Sequence, residues 1–166
     1  MRVPYMLEHE PFAKLLVPHR PLPKRNHYPP ILRFGFAISD HVDKFRQAAI
    51  KHNLGDPEEL KTTTKTAFLR ILVTSHLNER CGLPPKKSVV YQHIYSKEGD
   101  LVLEMATNYR MRIPEDRLDE VLCCIREVFS LPDDAQPKWY LESGIIEKEP
   151  DQYRLPSESS ITTTAW

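Results

Sequence analysis

The distribution of proline constrains this chain more than any other feature of its sequence. There are 15 prolines and only 5 glycines among the 166 residues. Proline fixes φ and lacks an N–H donor, so it is excluded from helix interiors and from central strands. Seven prolines lie within residues 1–30, and most of the others fall where periodic segments end: Pro57, Pro84, Pro85, Pro114, Pro132 and Pro137. The chain must therefore fold from short elements that lie between these prolines.

Proline content and polarity divide the chain into three parts. Residues 1–30 are predicted to form a proline-rich arm with some polyproline II structure. Residues 31–149 are predicted to form a single α+β domain, because hydrophobic residues make up 40% of the chain and supply one core. Residues 150–166 are poor in apolar side chains and are expected to form a flexible tail.

Hydrophobic periodicity predicts the elements of the domain. In chain order they are a strand at 31–39, helices at 41–53 and 56–81, strands at 88–96 and 101–112, a helix at 114–130 and a strand beginning at 139. Without the extra helix this order is β-α-β-β-α-β, the split βαβ or ferredoxin-like motif. We therefore expect a ferredoxin-like α+β sandwich with an additional helix, helices on one face of the sheet and the other face open.

The predicted hairpin of 88–96 with 101–112 suggests a site on that open face. A turn of two or four residues places His93 opposite Glu104 and Ile94 opposite Leu103. In this register, one side of the hairpin is apolar and faces the core: Val90, Ile94, Leu101, Leu103 and Met105. The other side gathers the candidate binding residues: Tyr91, His93, Tyr95, Glu104, Asn108 and Arg110.

Two interpretations of this polar face remain open. A histidine held by a carboxylate can act in general acid–base chemistry, so His93 and Glu104 are candidates for a small enzyme or small-molecule binder. Alternatively, they form an ordinary polar pair, on a surface covered by the arm or by a second subunit. We find no metal-binding spacing such as CxxC or HExxH, and we expect no cofactor.

Charge is balanced over the whole chain but not along it. Residues 1–114 carry 18 basic and 11 acidic side chains, whereas residues 115–166 carry 5 basic and 12 acidic ones. The zero net charge disfavours a dedicated nucleic-acid binder. A local basic patch nevertheless offers a further alternative, binding of an anion or nucleic acid, through the side chains of Arg20, Lys24, Arg25 and Arg33.

The remaining features indicate a soluble protein inside the cell. No apolar stretch is long enough to cross a bilayer, and we expect no membrane partner. Three cysteines without a secretory signal are typical of reduced thiols in the cytoplasm or the nucleus. We therefore predict a non-enzymatic module that binds a protein partner, or a second copy of itself, through the open sheet face and the arm.

Overall fold

A computed structural model of the chain describes residues 31–94 and 96–142. Its elements are β1 (Leu32–Ile38), α1 (His41–Lys51), α2 (Pro57–Thr62), α3 (Thr66–Arg80), β2 (Val90–His93), β3 (Leu101–Thr107), β4 (Arg110–Met111), a 3₁₀ turn (Glu115–Arg117), α4 (Leu118–Phe129) and β5 (Lys138–Leu141). The predicted mixed α+β class is confirmed. The predicted arm at 1–30, the tail at 150–166 and the last residues of the predicted domain lie outside the described residues.

Two helix ends, the start of α2 and the end of α3, follow their sequence signals. The side chain of Asp56 accepts hydrogen bonds from the N–H groups of Glu58 and Glu59 at 2.8 and 3.3 Å, and Pro57 begins α2. After α3, Gly82 adopts a φ of 60°, the left-handed conformation that ends many helices. Both ends are therefore confirmed.

The single helix predicted over 56–81 is wrong, because the chain breaks it into α2 and α3. Thr63 caps α2 in an extended conformation, with a ψ of 131°. Three consecutive threonines occupy this position, and β-branched side chains whose hydroxyls bond the local backbone disfavour helix. The hydroxyl of Thr62 donates such a bond to the carbonyl of Glu58 at 3.1 Å.

The strands form one antiparallel sheet in the order β2-β3-β1-β5, and β4 pairs with the end of β3. β1 is irregular between Phe34 and Gly35, where the register against β3 shifts. A Cβ atom at Gly35 would lie 1.9 Å from the carbonyl oxygen of Leu103. Only glycine lets the two central strands approach this closely.

The main core lies between one face of the sheet and the helices α1, α3 and α4. α4 contributes the apolar stripe that its sequence periodicity predicted: Val121, Leu122, Ile125, Val128 and Phe129. Trp139 of β5 is the largest fully buried side chain among the described residues, and it packs against Phe34 of β1 with ring centroids 5.1 Å apart.

The other face of the sheet is not open, and the prediction of an open face is wrong. Ile94, Val102 and Tyr140 form a second buried cluster there, at most 4% exposed, and Ala37 packs against it. Ile94 follows one edge strand and Glu142 follows the other, yet these two residues form an isolated antiparallel bridge. The sheet therefore curls until its two edges meet at that point, and the curl encloses the second cluster.

Candidate binding groove

The predicted register of the hairpin is wrong. Leu101 lies opposite His93 and Val90 lies opposite Glu104, so His93 and Glu104 do not face each other. A hydrogen bond from the N–H of Ile94 to the carbonyl of Asp100 closes the loop, which contains an odd number of residues, 95–99. A loop with an odd number of residues pairs even-numbered residues with even-numbered ones, whereas the predicted loop pairs even with odd. The side chains of β2 therefore share a face with different residues of β3 from those predicted.

The corrected register exchanges the faces of several residues. Tyr91 and His93 lie on the side of the helices, and Tyr91 packs against the main core. Val90 is opposite Glu104, and Ile94 joins the second cluster, so neither lies with Leu101 on the core side. Tyr95 lies outside the described residues.

Glu104 is fully buried and serves an ion network rather than an acid–base site. Its two carboxylate oxygens accept from Arg33 and Arg112, and Arg33 also binds Glu142. Two carboxylates and two guanidinium groups balance in charge, which is the condition for burying them. Arg33 is only 8% exposed, so its predicted place in an exposed basic patch is wrong. The other predicted members of that patch, Arg20, Lys24 and Arg25, lie outside the described residues.

The two remaining candidate residues have structural partners. Asn108 is fully buried, and its side-chain oxygen accepts from the N–H of Leu32 at 3.0 Å. Arg110 is exposed on β4 and donates to the carbonyl of Lys86 at 3.3 Å. Together with the ion network of Glu104, these contacts leave β2 as the part of the predicted surface that is available to a ligand.

A groove of about 450 Å³ runs between β2 and α3. It is lined on one side by Ile71, Thr74, Ser75 and Asn78 of α3, and on the other by the consecutive residues 88–93. Successive side chains of a strand point to opposite faces, so a groove that touches all of them runs along the backbone edge. β2 is an edge strand of the sheet, and the groove follows its edge away from β3.

The hydrogen-bond pattern shows which backbone groups face the groove. The N–H of Ile94 bonds to Asp100, so the main-chain N–H and C=O groups of Ile94 face β3. Backbone direction alternates along a strand, so the main-chain groups of Gln92 and Val90 also face β3, and those of Tyr91 face away from it. Val89 follows the same alternation. Its N–H and C=O bond to the side-chain amide of Asn78, at 2.8 and 2.9 Å.

At Val89, the side-chain amide of Asn78 therefore makes the two hydrogen bonds that the main chain of a neighbouring strand would make. One step along, the outward N–H and C=O of Tyr91 have no hydrogen-bond partner within residues 31–94 and 96–142. The hydroxyl of Thr74, which lines the groove, is likewise buried without a partner in this part of the chain. Ile71, also in the lining, is 57% exposed.

A cluster of charged and aromatic side chains stands at the His93 end of the groove. Arg70 of α3 contacts His41 Nε2 at 2.5 Å and His93 Nε2 at 3.4 Å, and its guanidinium lies 5.7 Å from the centre of the Tyr91 ring. His41 Nδ1 contacts Asp100 Oδ1 at 2.8 Å. Sequence patterns could not have paired His41 with Asp100, because neither residue belongs to a motif and 59 positions separate them.

The contacts of Arg70 determine the tautomer of His41. A guanidinium only donates, so His41 Nε2 accepts and the ring proton resides on Nδ1, which donates to Asp100. Burial alone would raise the pKa of Asp100, but the hydrogen bond from His41 and the nearby histidine charges outweigh it and lower that pKa. Asp100 thus acts as the orienting carboxylate of this cluster.

A second histidine pair lies away from the groove. The rings of His52 and His76 stand 4.9 Å apart, and the Nε2 atoms of both are buried without a partner among the described residues. Burial, followed by the charges of His76, Lys51 and Arg80, lowers the pKa of His52. The fold therefore favours the neutral form of His52.

Two kinds of feature, a metal-ligand cluster and a membrane-spanning helix, are not found in the described part of the chain. Within residues 31–94 and 96–142, no group of three or more histidine, cysteine, aspartate or glutamate side chains is placed to hold a metal ion. No helix there has the length and apolar character needed to span a membrane. All three cysteines are free.

Comparison with known proteins does not extend this description. No protein-family model, no curated protein and no solved structure matches the chain. Inferences about function therefore depend on the groove, the histidine–arginine cluster and their chemistry.

Proposed function

We propose that the protein is a protein-interaction module that binds an extended peptide segment by adding it as a strand to β2. The observation that carries the proposal is the groove along the outer edge of β2, where the main-chain groups of Tyr91 lack a partner among the described residues. Strand addition gains affinity from main-chain hydrogen bonds and specificity from pockets for alternate side chains.

The groove also defines the chemistry of the partner. Ile71 offers an exposed apolar contact, and Thr74 offers a buried hydroxyl. Positive charge stands at both ends, with Arg70 near His93 and the exposed Lys86 and Lys87 just before Ser88. This combination favours an extended segment that carries both apolar and acidic side chains.

This proposal keeps the predicted class of function but moves the surface. The open sheet face is replaced by the edge of β2, because the second cluster and the Glu104 network occupy that face. A role for the arm at 1–30 in binding, self-association and a location in the cytoplasm remain predictions.

We also propose that the domain is a split βαβ, ferredoxin-like sandwich with an added helix. The antiparallel order β2-β3-β1-β5 and the layer of helices on one face support this assignment. The sheet of this domain curls so that Ile94 meets Glu142, and this curl distinguishes the domain from a ferredoxin-like sandwich with a flat sheet.

The experiment selects random peptides displayed on phage against the full chain, then compares Tyr91→Pro with Tyr91→Ala. Both variants lose the ring, but only proline removes the outward N–H, which is tolerated on an edge strand. One lost hydrogen bond is expected to weaken the selected peptides about three- to tenfold more in Tyr91→Pro than in Tyr91→Ala. Thermal unfolding of both variants verifies that the fold is kept.

Equal affinities of the two variants would overturn the proposal, as would failure to select any peptide. Light scattering tests the competing occupant of the groove, which is a second copy of the chain. A dimer of the full chain that Tyr91→Pro dissociates would show that β2 serves a second copy instead of a peptide.

A further inference from the structure

Arg70 differs from the other arginines of the described region in the chemistry of its partners. Most of the others bind a carboxylate, as in the pairs of Arg33, Arg46, Arg80, Arg112 and Arg117. Arg110 and Arg126 donate to main-chain carbonyls. Arg70 instead directs its terminal nitrogens at two imidazoles, and its Nε is buried without a partner within the described residues.

Imidazole nitrogens are weak partners for a half-buried guanidinium. Neutral acceptors form hydrogen bonds about half as strong as those of an anion, and a guanidinium matches the two oxygens of a carboxylate or phosphate. The carboxylate of this cluster, Asp100, bonds to the far side of the His41 ring and so does not neutralise Arg70 directly. Among the described residues, the cluster therefore holds a cation that forms no ion pair with a carboxylate.

We propose that Arg70, His41 and His93 form a binding site for an oxyanion group, either a carboxylate or a phosphoryl group. An oxyanion accepts from the terminal nitrogens of Arg70 in place of the two imidazole nitrogens, and the rings of His41 and His93 then border the bound group. The site is accessible on the side of His93, which is exposed, whereas the side chain of His41 is only 15% exposed.

The proposal can be tested without a peptide, because a small ion is sufficient. The full chain, labelled with ¹⁵N, is titrated with inorganic phosphate, with acetate and with chloride at matched ionic strength. We expect saturable shifts in the ring nitrogens of His41 and His93 and in Arg70 Nε. Tighter saturation by phosphate assigns a phosphoryl ligand, and tighter saturation by acetate assigns a carboxylate.

Two variants of α3 complete the test. Arg70→Met should abolish the saturable shifts, whereas Arg80→Met, which removes an exposed arginine from the same helix, should keep them. Arg70→Lys retains the charge but loses the forked geometry, so it should bind more weakly, and it replaces the methionine variant if that variant unfolds. Shifts that fail to saturate, that chloride reproduces, or that persist after substitution of Arg70 would overturn the proposal.

Discussion

Replacement of Glu104 by glutamine should destabilise the fold strongly, although it changes little in shape. Glu104 is fully buried and accepts from Arg33 and Arg112. A neutral amide leaves these guanidinium groups without their counter-charge and directs an additional donor at one of them. Removal of one member of a buried ion network costs about 3–5 kcal/mol.

The structure places the expected loss at the lower end of this range. Arg33 keeps its contact with Glu142, and a quarter of the Arg112 side chain is exposed, so water can reach it. We therefore expect a loss of about 3 kcal/mol, which corresponds to a fall in Tm of about 10 °C. The measurement is urea unfolding at neutral pH, together with a thermal melt.

Glu127→Gln is the matched control. Glu127 also binds an arginine, Arg80, but the two side chains are 53% and 36% exposed. An exposed ion pair contributes about 0–1 kcal/mol, so this variant should be nearly as stable as the unaltered protein. If the two glutamine variants lose the same free energy at an unchanged m value, the buried network does not have the role assigned to it.

Three further predictions concern positions away from this network. Gly35→Ala should cost at least about 1–3 kcal/mol in urea unfolding, because its methyl group would overlap the carbonyl of Leu103; an unchanged midpoint would contradict the close approach of the strands. Since burial lowers the pKa of His52 in the folded state, unfolding takes up protons below its ordinary value of 6.5. The free energy of unfolding should therefore fall as pH drops from 6.5 through the folded pKa of His52. The variant His52→Asn should lose part of this pH dependence. Burial raises the pKa of the Cys81 thiol to about 12, so maleimide should label the exposed Cys123 first, as peptide mass spectrometry can show.

Local signals predicted the start of α2, the end of α3 and the α+β class. The aspartate cap at Asp56 and the left-handed Gly82 involve only a few neighbouring residues, so sequence spacing is sufficient to find them. The stripe of α4 is equally local, because burial of one helix face is visible in its periodicity. The run of three threonines indicates a break in the helix. The prediction of one helix over 56–81 gave more weight to its hydrophobic periodicity.

The candidate site was predicted only in part, because its contacts depend on register. His93 and Tyr91 do lie on the predicted hairpin, but an odd-numbered loop, 95–99, in place of the predicted two or four residues moves them to the helix side of the sheet. The contacts of His41 with Asp100 and of Asn78 with Val89 join separate elements. Such contacts follow from the packing of α1 and α3 against the hairpin, which no local pattern encodes.

The central position of β1 has a consequence for synthesis of the chain on the ribosome. Its two neighbours, β3 and β5, follow it by roughly sixty and one hundred residues, so at about 5–20 residues per second they emerge several seconds later. Meanwhile, both edges of an apolar strand are unpaired, which is a hazard for aggregation. Within that strand, Arg33 adds charge and Gly35 lowers β-propensity, and both properties oppose cross-β assembly. Two residues that native packing requires thus also protect the nascent chain.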